Sequence, residues 1–350
     1  MSAAPSPVRD ALRAVTHGGR LSRERSREAF GAILDGPVSD PLVAGLLGAL
    51  AALGESGEEV AGVVDVLTQR AVRPPVDDEL AGRAIDVCGT GGDGMGTFNV
   101  STATALVVAG AGVPVAKHGG RAVSSSCGSA DVLAALGVDV EMPSECAAEA
   151  LRRANVTFLF APAYHRAMRL VAPLRRELGV RTIFNLAGPL ANPLGVTRQL
   201  VGVDRPSRID VIARALRLRG TRRAWVLCNE RGGDELLPFG ETLVAEVRGE
   251  EIRSFRLCAA DFGLPEGEPE YLMGGDAGTN ASILRRLLDG ELGTARDTIL
   301  MNAAAALVVA GKVQDPRDGV RLAHASIDSG AARLALVTLT AVSRAGSCGG

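Results

Sequence analysis

The stretch Asp86-Val-Cys-Gly-Thr-Gly-Gly-Asp-Gly94, followed closely by Thr97-Phe-Asn-Val-Ser-Thr-Ala103, decides the fold of this chain. It leads from an apolar strand predicted over 84–88, through a glycine-rich turn, into a helix predicted over 100–111. In α/β sheets built from such units, ligands bind at the carboxyl ends of the strands. Glycines let the backbone approach a phosphate, and a helix N-terminus offers free N–H groups. The stretch therefore predicts a phosphate site or, as the plainer alternative, a tight turn with a good helix cap.

Short strands and helices continue to alternate after this unit. We predict further strands over 113–116, 157–160, 200–203 and 224–228, and helices over 130–136, 147–154, 166–178 and 209–218. This order predicts a mainly parallel central sheet flanked by helices on both faces. A hairpin is indicated by runs 242–247 and 251–257, and helices over 281–288, 295–310, 319–326 and 331–343 follow.

The first part of the chain has a different pattern. Apolar residues recur at helical spacing over 7–16, 22–34, 41–53 and 58–69, and a proline-rich linker begins at Arg73. We therefore expect a small helical domain over 1–76 and a larger α/β domain over 77–350.

Composition excludes several classes of protein. Apolar residues make up 47% and charged residues 22% of the 350, which is typical of a globular protein with a sizeable core. The net charge of −2 argues against a general binder of nucleic acid or anionic membrane. No apolar run approaches the roughly 20 residues that span a bilayer, and no signal pattern opens the chain, so we expect a cytoplasmic protein. Six cysteines without a C-x-x-C pair indicate reduced thiols.

A second polar loop follows the strand predicted over 113–116. Lys117-His-Gly-Gly-Arg-Ala-Val-Ser-Ser-Ser-Cys-Gly-Ser-Ala-Asp131 supplies two cations and several hydroxyls, which suit a phosphate or pyrophosphate. A solvated polar loop is the alternative. Lys117 is one of only 2 lysines among 38 basic residues, so its compact ammonium favours the anion-binding interpretation.

Two further groups could carry chemistry. Gly232-Gly-Asp-Glu235 follows the strand at 224–228, and its carboxylates could hold Mg²⁺ or simply form an exposed acidic turn. His165, Met168 and Arg175 are spaced to share one face of the helix predicted over 166–178, where they could receive a flat aromatic acid. Ordinary packing is the alternative for each of these three residues.

The order of these motifs resembles the anthranilate phosphoribosyltransferase family of tryptophan biosynthesis. The resemblance extends over nearly the whole chain and includes Gly-Thr-Gly-Gly-Asp-Gly, Thr-Phe-Asn-Val-Ser-Thr-Ala, Lys-His-Gly-x-Arg-Ala-Val-Ser-Ser and Arg181-Thr-Ile-Phe-Asn-Leu-Ala-Gly-Pro-Leu-Ala-Asn-Pro193. It implies a small helical domain, completed by a helical segment near 180–200, beside a large α/β domain. It also implies a homodimer joined through the helical parts, and a reaction of phosphoribosyl pyrophosphate, Mg²⁺ and anthranilate.

The resemblance assigns roles to individual residues. Those expected at phosphoribosyl pyrophosphate are Gly89, Gly92, Asp93, Thr97, Asn99, Val100, Ser101, Thr102, Lys117, Arg121, Ser125 and Ser129. Two Mg²⁺ ions would be held by Ser101, Asp234 and Glu235, and the catalytic groups would be Lys117, Asp234 and Glu235. Those expected at anthranilate are Gly89, Gly120, His165, Met168 and Arg175.

This chain departs from the family pattern at a few positions. Gly120 stands where the family usually has an asparagine that contacts anthranilate, and Ser126, Cys127 and Arg166 also differ. A same-fold transferase with another aromatic acceptor is therefore an alternative, as is the related pyrimidine nucleoside phosphorylase. The arginine-rich stretch 214–223 motivates a third, a relative that binds nucleic acid without catalysis.

Overall fold

The computed structural model describes residues 6–122 and 126–346. The predicted site residue Ser125 and the cysteine at 348 lie outside these ranges. The chain begins with four helices: α1 (Pro7–Thr16), α2 (Arg23–Asp35), α3 (Asp40–Leu53) and α4 (Gly57–Gln69). The start of α4 is fixed by a capping box, because Ser56 Oγ accepts from Glu59 N at 3.2 Å and the Glu59 carboxylate accepts from Ser56 N at 2.7 Å.

The strands follow a short helix, α5 (Asp78–Arg83). They are β1 (Asp86–Gly89), β2 (Val115–Gly119), β3 (Val156–Phe160), β4 (Arg198–Gly202), β5 (Arg223–Asn229), β6 (Thr242–Arg248) and β7 (Glu251–Leu257). One sheet has the order β1-β4-β5-β6-β7, and β2 pairs with β3. A parallel bridge between Ile85 and Val115 links the two. The pairs β1–β4, β4–β5 and β2–β3 are parallel, so the predicted mainly parallel sheet with an antiparallel hairpin is confirmed.

Helices cover both faces of the sheet. They are α6 (Val100–Gly110), α7 (Ser129–Ala135), α8 (Ser144–Ala154), α9 (Ala161–Tyr164), α10 (Ala172–Leu178), α11 (Ile183–Leu190), α12 (Ile209–Leu218), α13 (Ala277–Leu288), α14 (Thr294–Ala310), α15 (Pro316–Asp328) and α16 (Ala331–Ser343). Short 3₁₀ turns occur at Arg166–Leu170, Pro206–Arg208, Ala259–Phe262 and Pro269–Leu272. Strand alternation divides the core, because Leu200 packs in one apolar cluster and its neighbour Val201 in the other.

The single helix predicted over 166–178 is wrong. A 3₁₀ turn over Arg166–Leu170 ends before α10 begins at Ala172. The cause is Pro173, which has no N–H to continue an earlier helix but suits the first turn of a new one. His165, Met168 and Arg175 consequently do not share a helix face.

The segment near 180–200 packs on the N-terminal helices. α11 lies against α4, and the Phe184 ring meets the Phe30 ring edge to face with centroids 5.5 Å apart. The domain boundary between residues 76 and 77 stays a prediction. Within the described ranges no single helix is long and apolar enough to cross a membrane; α15 and α16, bent 61° at the break between them, reach that threshold only as a pair.

Candidate active site

The carboxyl end of β5 turns back toward the carboxyl end of β1. Asn229, the last residue of β5, is buried and organises this turn. Its Oδ1 accepts from Arg231 N at 3.0 Å, its N donates to Gly233 O at 2.8 Å, and its Nδ2 donates to Phe239 O at 3.1 Å. Asp234 and Glu235 are thereby directed to the glycine-rich turn after β1.

Asp234 fits this place because its neighbours have no side chains. A Cβ on Gly89 would overlap the Asp234 carboxylate, and a Cβ on Gly202 would overlap the Asp234 carbonyl. The Asp234 carboxylate accepts from Gly91 N at 3.0 Å. Gly91 itself has a φ of +61°, a conformation that glycine adopts without strain.

Three carboxylates from two loops lie together here. Asp93 Oδ2 accepts from Asp234 N at 3.5 Å, and Glu235 Oε2 accepts from Thr97 Oγ1 at 3.3 Å. Burial, reinforced by the charge of Asp93, raises the pKa of Asp234 to about 7. Burial and the charge of Asp234 also raise the pKa of Glu235 well above its ordinary value. The surroundings therefore disfavour the ionised forms of these carboxylates, and a bound cation would supply the positive charge that favours them.

This donor set fits Mg²⁺, which takes carboxylate and hydroxyl oxygens and usually completes its shell with water and substrate phosphate. Among the described residues, no three His, Cys, Asp or Glu side chains form a ready-made metal site. A cation held jointly by one or two carboxylates and by the substrate needs no such preformed cage.

Lys117 lies on β2 beside the same site and is only 3% exposed. Its Nζ donates to Val87 O at 2.8 Å and to Ser101 Oγ at 3.1 Å. Burial lowers the pKa of Lys117, and the nearby charge of Asp86 opposes that shift. Burial likewise raises the pKa of Asp86 to about 6, although His118 N and Asn192 Nδ2 both donate to its carboxylate. The ammonium is thus fixed between β1 and the start of α6.

The start of α6 is held by an amide relay. Asn99 Nδ2 donates to Cys127 O at 3.1 Å, and Asn280 Nδ2 donates to Asn99 Oδ1 at 2.9 Å. The relay joins the two loops that follow β1 and β2. The side chains of Val100 and Thr102 are buried, so Val100 offers a ligand only its backbone.

The loop after β2 supplies further predicted residues. Arg121 lies 3.1 Å from Asp131 and 3.7 Å from Glu141, and its guanidinium lies over the Phe160 ring. Ser129 begins α7, and its Oγ donates to Gly120 O at 3.4 Å. A Cβ on Gly120 would meet no atom of the described residues within 4 Å, so the described part of the chain leaves open space at this position.

The residues predicted for an aromatic acceptor occupy three segments. His165 lies against His118, the residue after Lys117, with ring centroids 5.0 Å apart. Burial lowers the pKa of both imidazoles, which favours their neutral forms. Met168 packs on the apolar cluster to which α11 contributes. Arg175 contacts α11, with its guanidinium 5.3 Å from the Phe184 ring centroid and Nη2 3.5 Å from Asn185 Oδ1.

The structure adds Arg181, to which we assigned no role from the sequence. Its Nη1 donates to Gly91 O at 2.5 Å and its Nη2 to Thr90 O at 3.0 Å, so one guanidinium binds the glycine-rich turn. Asn280, in the amide relay, was also missed. Arg181 does begin one of the motifs on which the family resemblance rests, and that was the available signal.

Comparisons with known proteins agree along nearly the whole chain. Residues 9–71 match the glycosyl transferase family helical bundle domain, and residues 81–333 match the glycosyl transferase family a/b domain. An anthranilate phosphoribosyltransferase from Mesorhizobium japonicum is 47% identical over 97% of this chain and 99% of its own length. One from Roseiflexus is 46% identical over 97% of this chain and 99% of its own.

Solved structures give the same result. The anthranilate phosphoribosyltransferase of Thermus thermophilus aligns with a TM-score of 0.90 and 42% identity, covering 97% of this chain and 100% of that one. The Saccharomyces cerevisiae enzyme, solved in complex with PRPP and Mg, aligns with a TM-score of 0.86 and 28% identity over 97% and 98% of the two chains. This chain therefore belongs to the anthranilate phosphoribosyltransferase family.

Proposed function

We propose that this protein transfers the phosphoribosyl group of 5-phosphoribosyl 1-pyrophosphate to the amine of anthranilate, in tryptophan biosynthesis. The products are N-(5-phosphoribosyl)anthranilate and pyrophosphate. The observation that carries the proposal is the meeting of a glycine-rich turn, a buried lysine and a cluster of carboxylates whose burial raises their pKa at one edge of the sheet. The family of the chain and the PRPP and Mg complex of its yeast relative support the same reaction.

The chemistry exchanges one bond at the ribose. The bond from C1 to the pyrophosphate oxygen breaks with its electron pair leaving on pyrophosphate, and the amine lone pair forms the new N–C1 bond. The amine then loses a proton to water. An aromatic amine is largely neutral near pH 7, so the main task of the protein is to hold the partners in line and stabilise the leaving group.

Ser101, Asp234 and Glu235 would hold two Mg²⁺ ions, which would neutralise charge on pyrophosphate and so favour its departure. Lys117 adds a positive charge from β2 that cannot move away, because Val87 O and Ser101 Oγ fix its Nζ. The N–H groups of the glycine-rich turn and of the α6 N-terminus bind phosphate oxygens. We place Gly89, Gly92, Asp93, Thr97, Asn99, Val100, Thr102, Arg121, Ser125 and Ser129 around this substrate.

The acceptor would lie between the two loops and the residues before α11. Gly120 leaves room for a flat ring and Gly89 offers its backbone, while His165, Met168 and Arg175 supply imidazole, thioether and guanidinium contacts. A half-buried guanidinium is a fitting partner for the anthranilate carboxylate, and burial lowers the pKa of Arg175 while the ring of Phe184 supports its guanidinium.

The experiment that tests this function follows the loss of anthranilate fluorescence with Mg²⁺ and phosphoribosyl pyrophosphate. Wild-type protein should consume micromolar anthranilate only when the metal is present. Lys117→Met should remove nearly all of this turnover. Lys312→Met removes the other lysine of the chain, which is exposed, and should keep the full rate. Equal rates for the two variants would remove Lys117 from the mechanism.

A second acceptor is supported by one observation, the open space at Gly120. If phosphoribosyl pyrophosphate binds but anthranilate is not consumed, a screen of other aromatic amines and acids identifies the true acceptor. Turnover that requires inorganic phosphate and a nucleoside would instead indicate a nucleoside phosphorylase.

Ion pairs engage two of the five arginines that motivate the nucleic-acid alternative. In the stretch 214–223, Arg219 pairs with Asp65 of α4, whereas Arg223 pairs with Glu246 of β6. The absence of a gel shift at moderate salt would dismiss this alternative.

We also propose a homodimer joined through the helical part, in the cytoplasm. Leu170 and Val180, on either side of α10, are 60% and 56% exposed, which supports an apolar contact there. Light scattering during gel filtration would measure twice the chain mass if the dimer forms.

A further inference from the structure

Three neighbouring strands place arginines at the edge of the sheet opposite the candidate active site. Arg198 begins β4 and is the register partner of Arg223, which begins β5. Arg248 ends the antiparallel strand β6, one step beyond the Ala224–Val247 pair. Aligned residues on adjacent strands point to the same face, and like charges so placed repel one another. Negatively charged or hydrogen-bond-accepting groups are needed to offset the repulsion among these three arginines.

A cavity of about 140 Å³ lies at this row. Its lining includes the three strand arginines, Arg222 from the turn before β5, and Gly311 and Gln314 after α14. The carboxyl ends of the same strands β4 and β5 carry Gly202 and Asn229 beside Asp234. The length of strands β4 and β5 therefore separates the cavity from the candidate active site.

The protein neutralises only part of this positive charge. Arg223 lies 2.7 Å from Glu246, which also accepts from Trp225 Nε1 at 3.1 Å, and donates to Val308 O at the end of α14. Arg198 donates to Gly82 O. Within the described ranges, Arg222 and Arg248 form no ion pair. Four guanidinium groups thus face one carboxylate and the C-terminal ends of two helices.

We propose that this arginine cavity binds a small phosphate-bearing anion, either free phosphate or pyrophosphate or the phosphate group of a metabolite. The planar forks of arginine match phosphate oxygens in pairs. The volume admits a phosphate group and falls short of the roughly 300 Å³ of sites that enclose a whole drug-sized ligand. Of the residues that the structure describes, no aromatic side chain lines the cavity, so they provide no platform for stacking the bases of a nucleic acid.

The test compares wild type with two double variants. Arg222→Gln/Arg248→Gln removes the two unpaired cations, whose side chains are exposed and whose loss should leave the fold intact. The matched control, Arg253→Gln/Arg256→Gln, removes two exposed arginines from β7, outside the cavity. Calorimetric titration in metal-free buffer uses inorganic phosphate, pyrophosphate and ribose 5-phosphate as probes, and circular dichroism checks the fold.

We expect wild type and the control variant each to bind one equivalent of probe at the cavity. The cavity variant should bind this equivalent about tenfold more weakly or not at all. Preference for ribose 5-phosphate over the inorganic probes would identify a metabolite as the source of the phosphate. Equal stoichiometry and Kd in all three proteins would overturn the proposal, as would binding of an oligonucleotide, but of no small phosphate, at the cavity. Anthranilate turnover should be the same in all three, so failure here is distinguishable from failure of the proposed function.

Discussion

Gly89 and Asp234 are in such close contact that the position of Asp234 requires residue 89 to have no side chain. The last residue of β1 lies directly under the Asp234 carboxylate, and an added Cβ would overlap its Oδ2. The contact places a residue from the end of β5 beside the turn after β1, 145 positions earlier in the chain. The geometry of the proposed metal site depends on it.

Gly89→Ala should therefore displace Asp234 and lower kcat/KM by about 100-fold, the usual cost of moving a catalytic group by about 1 Å. Gly82→Ala is the matched control, because its Cβ would meet nothing within 4 Å and its backbone needs no left-handed conformation. Steady-state anthranilate fluorescence assays measure both. A fully active Gly89→Ala variant would show that Asp234 does not need its present position.

Gly120→Asn tests whether this chain has lost a contact with its acceptor. The open space at residue 120 predicts that the asparagine fits and that Tm changes by no more than about 2 °C. A new hydrogen bond to anthranilate should lower its KM by about threefold to tenfold while leaving the KM for phosphoribosyl pyrophosphate unchanged. Gly120→Ala adds a Cβ without the amide and should leave both constants unchanged. A fall in the KM for phosphoribosyl pyrophosphate instead of anthranilate would place residue 120 against phosphoribosyl pyrophosphate.

Asp234→Asn should stabilise the metal-free protein at high pH. The folded-state pKa of Asp234 is about 7, raised from 3.8 chiefly by burial. As pH rises from about 4 to about 7, the unfolded chain has already lost this proton while the folded chain retains it, so ionisation costs stability in that window. The asparagine avoids the cost, so its advantage in Tm over wild type should be about two- to threefold larger at pH 8 than at pH 5.

Thermal unfolding in chelator at the two pH values measures this difference. Glu28→Gln removes an exposed carboxylate from α2 and serves as the control, which should show no such growth between pH 5 and pH 8. Adding Mg²⁺ with pyrophosphate should raise the Tm of wild type at pH 8 far more than that of Asp234→Asn. A constant difference in Tm across the pH range would contradict an Asp234 that ionises near pH 7.

Local pattern and motif predicted the alternating helices and strands, the hairpin and the loops after β1, β2 and β5. This prediction failed at residues 166–178, where apolar periodicity indicated one continuous helix although Pro173 marks the start of a new one. It also missed contacts that only tertiary packing creates. Asn280 acts on Asn99 from 181 positions away, and neither residue's local sequence indicates the other. Burial of the Val100 side chain leaves only its backbone to contact a substrate, and the sequence motif does not specify that burial.

Arg181 is the clearest of these tertiary contacts and supports the last prediction. Its two donors bind consecutive carbonyls, Thr90 O and Gly91 O, so it holds the turn whose N–H groups would face phosphate. Arg181→Lys keeps the charge but cannot form both bonds from one planar group. The turn should loosen, and the KM for phosphoribosyl pyrophosphate should rise about tenfold while that for anthranilate changes little.

Arg205→Lys provides the comparison, because Arg205 also pairs with Asp204, at 3.1 Å, but forms no bond to the turn within the described residues. Its kinetic constants should match wild type. Arg181 lies 3.9 Å from the same Asp204, so a role limited to that ion pair would survive the change to lysine. An Arg181→Lys variant with an unchanged KM for phosphoribosyl pyrophosphate would therefore limit the role of Arg181 to the ion pair. It would also show that the glycine-rich turn keeps its conformation without the two hydrogen bonds from Arg181.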